Sequence, residues 1–504
     1  MSLLLIVLLV RAPNFILPID NDTGAIAYHA RLINQGEPLY SSHHPGHHLP
    51  AIYYTYALIF NLLGDHPNSL QLFLIFWMWV NGIILYKIGE SNSSKISGVL
   101  SAILYVVISS MTNINGDTAE IELFANVPIS IVILLGTYLW TTKKNTYLLL
   151  IGVFSGLSVL FKAVYFASFL AVCLVMFYEL VTSNNLKSIV IFLKQLVYIM
   201  LGILFVFGLV ILFFSKENLL QRFFLVFQSG SVYLKFNNSP WYYIILVPFI
   251  LLININLSMV FFGLVSVIRS IFYIFMKKNN REKITPVKVL LLGWLFFSVI
   301  SAGFSRFGFP HYMILIIPPL SLLVSIEIED VWKLAKTSSI NIPNSLKILL
   351  PLILLMVVIS NIFYSSYSYI DGFIKYRLNK IGYIDFVENH TTMGKVNILA
   401  ENIANYIKEN SDEDDLIFTW TELAQINYLS GRHSSSDVIW PLYVTFFGPP
   451  ERVFEEKPLY IVYGPHFFYE EESPNWLINE LNENYHLEIS IDFYKIYRLN
   501  SITG

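Results

Sequence analysis

Long apolar runs separated by short polar breaks recur along the first three-quarters of the chain, and they limit its folds more than any other feature. They occupy 2–17, 68–88, 96–113, 123–140, 146–161, 163–181, 188–214, 244–275, 288–304, 311–326 and 346–364. An α-helix needs about 20 apolar residues to cross a bilayer, so most of these runs are near spanning length. A water-filled surface cannot be built from what remains. Only 13% of the residues are charged, where a soluble domain carries about a quarter. The pattern predicts a polytopic α-helical membrane protein with about eleven transmembrane helices. The first run begins at Met1 with no basic segment and no small-residue cleavage pattern, so it reads as a short membrane helix rather than a removable leader. The run 244–275 is too long for one straight span and is expected to begin as an interfacial helix.

Basic residues give the sidedness. With the N-terminus inside, Lys87, Lys95, Lys143, Lys144, Lys187, Lys194, the cluster Lys277, Lys278, Arg281, Lys283 and Lys288, and then Lys333, Lys336 and Lys347 all fall in cytoplasmic segments. The opposite loops hold Arg31, Lys162, Lys216, Arg222, Lys235 and Arg306, with Arg11 near the end of the first span. This asymmetry follows the positive-inside rule. An odd number of spans then puts the chain after residue 364 outside a multi-pass plasma-membrane protein.

The expected organisation is a membrane domain over 1–364, with large outer loops at 18–67 and 215–243, followed by a small extracytoplasmic α/β domain over 365–504. In the first loop, a helical pattern at 23–35 precedes the aromatic stretch Ile52 to Phe60. The second loop carries Phe223, Phe224, Phe227, Tyr233, Trp241 and Tyr242, and both loops read as interfacial. In the last segment Leu399, Ile403, Tyr406 and Ile407 recur at helical spacing, while 415–420, 459–463 and 487–499 read as strands. Net charge is −3, which gives no support for nucleic acid as a partner. Cys173 stands alone, so an intrachain disulfide and a cysteine-based zinc site are both excluded.

The residues that could do chemistry gather in the outer loops. The first reads Asp20-Asn21-Asp22-Thr23 and later Ser42-His43-His44-Pro45-Gly46-His47-His48. A carboxylate at a bilayer surface can take a proton from an attacking hydroxyl. Asp22 or Thr23 is equally placed to cap the helix that follows. His43, His47 and His48 are candidate ligands for a divalent metal or simply solvated loop histidines. Glu122 stands at the mouth of a membrane helix, where an acid also meets the helix dipole. The functional reading is that it faces the same cavity as Asp22. Lys162 sits between two apolar runs and could hold a phosphate or simply snorkel. Arg306 and His311 fall on the same side, with Arg222 and Lys235 as weaker candidates. Acids and bases on one face suit a substrate with hydroxyls and a phosphate. No phosphate-binding glycine loop is present, and no array of ionisable residues sits mid-span.

At these residues the chain resembles the GT-C membrane glycosyltransferases of family 39, the dolichyl-phosphate-mannose protein mannosyltransferase type, with the aminoarabinose transferases of lipid A as relatives. The resemblance runs through Asp22-Thr23 with Ala27-Tyr28-His29-Ala30, where the family usually has an Asp-Glu pair. It continues through His47-His48-Leu49-Pro50, Ile52-Tyr53-Tyr54-Thr55-Tyr56, Glu122-Leu123-Phe124 and Gly156 to Lys162. It ends with Arg306, Phe309-Pro310-His311-Tyr312 and Tyr428-Leu429-Ser430-Gly431-Arg432. It implies an inverting transfer of a sugar from a polyprenyl- or dolichyl-phosphate to a hydroxyl of a protein, lipid or polysaccharide on the outer face. By that resemblance Asp22 is the base. Glu122, His47, His48, Tyr53, Lys162, Arg306 and His311 bind substrate, and a divalent metal is an open cofactor. The competing reading is a non-catalytic glycolipid-binding scaffold or a lipid-linked glycan transporter.

Overall fold

The computed structural model describes residues 2–41, 46–142, 144–183, 186–237, 239–276, 285–337, 344–436, 439–441, 453, 455–465 and 474–500. His43 therefore lies outside the described residues. The chain is mainly helical. In order, the helices are α1 Ser2–Arg11, α2 Asn21–Asn34, α3 Pro50–Leu63, α4 Pro67–Asn92, α5 Lys95–Ile108, α6 Ile121–Thr142, α7 Thr146–Phe161, α8 Ala167–Ser183 and α9 Leu186–Lys216. They continue with α10 Leu220–Phe236, α11 Tyr243–Met276, α12 Pro286–Gly303, α13 Ile317–Thr337, α14 Asn344–Arg377, α15 Tyr383–His390 and α16 Gly394–Glu409. Every apolar run of the sequence carries a helix. Among the described residues, six helical segments are long and apolar enough to cross a membrane: Pro67–Asn92, Ile121–Thr142, Ala163–Ser183, Lys187–Lys216, Tyr243–Ser270 and Pro286–Gly303. The helices α5 and α7 are apolar but shorter, and α13 carries Glu327, Glu329, Asp330 and Lys333 in its second half.

By contacts the chain divides into two compact units. One contains 1–14, 71–213 and 233–371; the other contains 15–70, 214–232 and 372–504.

The first unit is a helical bundle. Its helices approach closely where small residues allow it. A Cβ on Gly152 of α7 would stand 2.0 Å from the Ile199 carbonyl oxygen of α9, and one on Gly202 would stand 2.3 Å from the Leu149 oxygen. In lipid, where apolar side chains gain little by meeting each other, such backbone contact is a main source of helix association. The long α11 is interrupted at Asn256, whose φ of −158° leaves the helical range. The Asn256 Oδ1 accepts from the Met259 amide at 3.0 Å and the Ser258 hydroxyl at 2.7 Å. It thus satisfies an amide that the break would leave open.

The second unit combines loop helices with an α/β fold. The strands are β1 Leu416–Trp420, β2 His433–Ser434, β3 Tyr460–Tyr463, β4 Tyr485–Ile491 and β5 Tyr494–Leu499, with α17 Gln425–Ser430 and α18 Asn475–Asn484. Their order is β2-β1-β3-β5-β4. The pairs β2/β1 and β1/β3 are parallel, and β3/β5 and β5/β4 are antiparallel. The single strand expected over 487–499 is the hairpin β4–β5, turned at Asp492, whose φ is 53°. Alternation sorts the side chains onto two faces. Ile417, Tyr460, Val462 and Ile496 pack with Ile403 and Ile407 of α16 and Ile426 of α17. Phe418, Trp420 and Ile461 pack with Leu477 and Leu481 of α18.

In the loop helices of this unit, Ile52, Tyr53, Tyr56, Ile59 and Phe60 of α3 are buried while Leu58, Leu62 and Leu63 are exposed. Phe223 of α10 is buried against Tyr40 and stacks on Phe214 at 5.2 Å. Phe224 and Phe227 are exposed.

Candidate functional site

In the first unit the loop before α6 is held in place from beneath. Arg11, fully buried, donates to the Gly116 carbonyl at 2.8 Å, to Gln71 Oε1 at 2.6 Å and to the Thr118 carbonyl at 3.4 Å. Gln71 in turn donates to the Asp117 carbonyl at 3.0 Å. A guanidinium in an apolar surrounding needs such partners, and here they are backbone oxygens of the segment that leads to Glu120 and Glu122. The sequence reading gave Arg11 no role. The signal was a lone arginine closing an apolar run.

The acids then meet their partners. Glu122, 1% exposed, opens α6. Its Oε1 accepts from the Tyr165 hydroxyl at 2.6 Å and lies 3.5 Å from the Lys162 ammonium. Lys162 takes up an extended backbone between α7 and the short 3-10 helix Ala163–Phe166, so its side chain turns back over the mouth of α6. Its ammonium stands 3.8 Å from the centroid of the Tyr312 ring, a cation–π contact. On the 3-10 helix Pro310–Leu315, His311 Nδ1 is 3.7 Å from Glu120 Oε1, and its ring lies parallel to that of Phe309. Glu120 Oε1 also accepts from the Thr118 hydroxyl at 3.3 Å.

Three expected residues, Glu122, Lys162 and His311, are thus brought together. Glu120, Tyr165 and Tyr312 join them without having been assigned a role. Glu120 was visible as a second acid two residues before Glu122, and Tyr165 as a hydroxyl three residues after Lys162. Arg306 is placed differently. It adopts a left-handed φ of 60° and its guanidinium donates to the Ser239 carbonyl, while the neighbouring Ser305 carbonyl accepts from Asn237 at 3.1 Å.

In the second unit the start of α2 corrects one expectation. The N-cap is neither Asp22 nor Thr23 but Asp20, whose carboxylate accepts from the Thr23 amide at 2.9 Å and the Thr23 hydroxyl at 2.7 Å. The backbone turns into the helix one residue after Asp20, so the capping geometry falls there. Asp22 sits in the first turn, half-buried, and is not used as a cap.

His47 and His48 are half-buried and their backbone is tied down. Their amides donate to the Tyr53 hydroxyl at 3.0 and 3.1 Å, and the Tyr40 hydroxyl donates to the His48 carbonyl at 2.8 Å. The His47 ring approaches those of His29 and Trp440, with centroids at 6.4 and 5.9 Å. Burial, aided by His48, pushes the pKa of His47 well below the usual imidazole range. Arg222 donates to the Ser41 carbonyl at 2.8 Å. The side chain of Lys235 is outside the described set.

Among the described residues of the first unit, Glu120 and His311 offer a place that suits a divalent cation. The Glu120 oxygen and His311 nitrogen, 3.7 Å apart, are close enough to bind one ion at the usual distances of about 2.0–2.2 Å. They also offer the carboxylate and imidazole donors that such ions accept.

Two comparisons of sequence with family models bear on this arrangement. Residues 43–211 match the model of the dolichyl-phosphate-mannose-protein mannosyltransferase family, and residues 400–500 match that of the competence-induced protein Ccs4 C-terminal domain. No curated protein matches the sequence. Among solved structures, ArnT from Cupriavidus metallidurans bound to undecaprenyl phosphate is similar over 100% of this chain and 98% of its own, with a TM-score of 0.61 and 13% identity. The oligosaccharyltransferase AglB from Archaeoglobus fulgidus, in complex with an inhibitory peptide and a dolichol-phosphate, is similar over 92% of this chain and 69% of its own, with a TM-score of 0.55 and 11% identity. The same archaeal enzyme has been seen in complex with Zn and sulfate, at a TM-score of 0.55, 11% identity, and coverage of 92% and 67%. At such identities the likeness is one of fold, and by it the chain is a polytopic membrane protein with the architecture of the GT-C glycosyltransferases.

Proposed function

We propose that the protein is an inverting glycosyltransferase that moves a sugar from a polyprenyl- or dolichyl-phosphate to a hydroxyl of a protein, lipid or polysaccharide acceptor at the extracytoplasmic face. The observation that carries this is the Lys162 ammonium, fixed between Glu122 and the Tyr312 ring on a GT-C fold. Its side chain is 27% exposed, so one side of the cation stays open to an anion. In this reading Lys162 contacts the donor phosphate, and Glu122, itself held by the Tyr165 hydroxyl, keeps the ammonium aimed. Asp22 takes the acceptor proton as the acceptor oxygen attacks the sugar carbon and the lipid phosphate leaves.

The cluster holds two carboxylates against one lysine, a net negative charge when His311 is neutral. A divalent cation held by Glu120 and His311 would make the sum positive, and so favour a dianionic leaving phosphate. The lipid phosphates and the Zn complex of the structural relatives support these assignments.

The test is turnover of radiolabelled polyprenyl-phosphate sugars by the purified protein, followed as loss of label from the lipid. Asp22→Asn should lower the rate by about 100- to 10,000-fold while leaving donor binding in place. Full activity in that variant would refute the base assignment, and donor binding without turnover in the wild type would favour the scaffold reading.

A further inference from the structure

One motif of the sequence, Tyr428 to Arg432 near the C-terminus, has no part in the chemistry above, yet it touches the helix that carries Asp22. Along α2, Gly24, Tyr28 and Arg31 lie four and three residues apart and form one stripe. Each is engaged by the C-terminal α/β fold. A Cβ on Gly24 would stand 2.2 Å from Gln425 Cβ, so only glycine lets α17 come this close. The Tyr28 hydroxyl accepts from the Ser434 amide of β2 at 2.9 Å. Arg31 donates to the Tyr428 carbonyl at 2.8 Å, stacks over the Tyr428 ring at 4.1 Å and pairs with Asp65 at 2.5 Å. Asp65 in turn accepts from the Tyr428 hydroxyl at 2.9 Å.

The receiving surface is itself fixed. Arg432 donates to the Lys408 and Ser411 carbonyls at 3.2 and 2.8 Å, which ties the end of α17 to the end of α16. The Tyr428 ring also stacks on Phe60 of α3 at 6.0 Å. The three contacts span about 10 Å of α2, enough to oppose both sliding and rotation. Asp22 is two residues before the first of them.

We infer that the C-terminal α/β domain positions Asp22, acting through the Gly24–Tyr28–Arg31 stripe. Gly24, Arg31 and Tyr428 are positioning residues, separate from the groups that bind the donor. This inference rests on the assignment of Asp22 as base. A displacement of about 1 Å can cost a reaction as much as 100-fold without touching substrate affinity.

The experiment compares full-length Gly24→Ala, Arg31→Ala, Arg31→Lys and Tyr428→Phe with wild type and Asp22→Asn. It measures kcat and KM for the labelled donor, and direct binding of the polyprenyl phosphate. The expected result for Gly24→Ala and Arg31→Ala is a kcat lowered by about 10- to 100-fold, with donor KM and lipid binding within twofold. Arg31→Lys, which keeps the charge, should recover part of the loss, and Tyr428→Phe should fall between. If Gly24→Ala does not fold, the Arg31 pair decides by the same measure. Unchanged kcat in all four, or a rise in donor KM instead, overturns the positioning role while Asp22→Asn remains inactive. An active Asp22→Asn overturns the base assignment and, with it, this inference.

Discussion

Asp20 and Asp22 show how two identical side chains two residues apart take different roles. The cap belongs to whichever residue keeps an extended backbone while its side chain reaches the third amide, and here that is Asp20, at φ −80° and ψ 175°. Asp22, in the first turn, does not serve as the cap. Similar division of labour appears at Glu122, where Lys162 and Tyr165 share one oxygen. Removing the lysine leaves a carboxylate in an apolar surrounding, so Lys162→Ala should lower stability by about 3–5 kcal/mol as well as donor affinity. Tyr165→Phe removes a bond to a charged group and should cost about 1.5–3 kcal/mol. Thermal unfolding in detergent ranks the two, and an equal or reversed order would contradict the pairing.

A pH effect is expected at Glu401 of α16, whose pKa burial raises above the usual carboxylate range. The folded state then favours the protonated form. The stability this contributes is present at acid pH and is lost as pH rises through the raised value. Glu401→Gln should therefore stabilise the protein at neutral pH and have little effect at acid pH, measured as the shift in Tm at the two pH values.

Between elements, packing depends on what the side chains leave out. The Gly152 and Gly202 contacts of α7 and α9 have no room for a methyl group, and Gly202→Val should cost about 1–3 kcal/mol with a lower melting temperature in detergent. The helices themselves were legible in the sequence, because an apolar run of this length has few other folds open to it in lipid. Less legible were the ends. The strand expected over 487–499 is a hairpin, since alternation continues through a two-residue turn and does not mark it. The break in α11 depends on Asn256, a polar residue in an apolar run, whose capping bonds exist only once the helix is broken.

For the molecule as a whole, chain order and compactness do not coincide. The unit that contains the C-terminal sheet also takes in 15–70 and 214–232, so its helix α2 meets partners about 400 residues away in sequence, as in the bond between Ser434 and Tyr28. Long-range closure of this kind is slow and is complete only when the last segment has been made. A chain ending at residue 371 should expose 18–67 to protease while the same segment in the full chain resists cleavage. Equal resistance in both would show that α2 and α3 hold their place without the sheet.

What the sequence determined by itself is the solvent and the repertoire: apolar runs that demand a bilayer, a charged α/β tail, and acids and bases in the loops. Periodicity and charge are local properties, and these conclusions need nothing more. Only the tertiary structure decided which oxygen of which acid meets which base, that Arg11 supports the segment before Glu120 across 105 residues of sequence, and that glycine at 24 is a point of contact rather than a flexible joint. Those outcomes depend on distances of a few ångströms between residues far apart in sequence, and no local pattern encodes them.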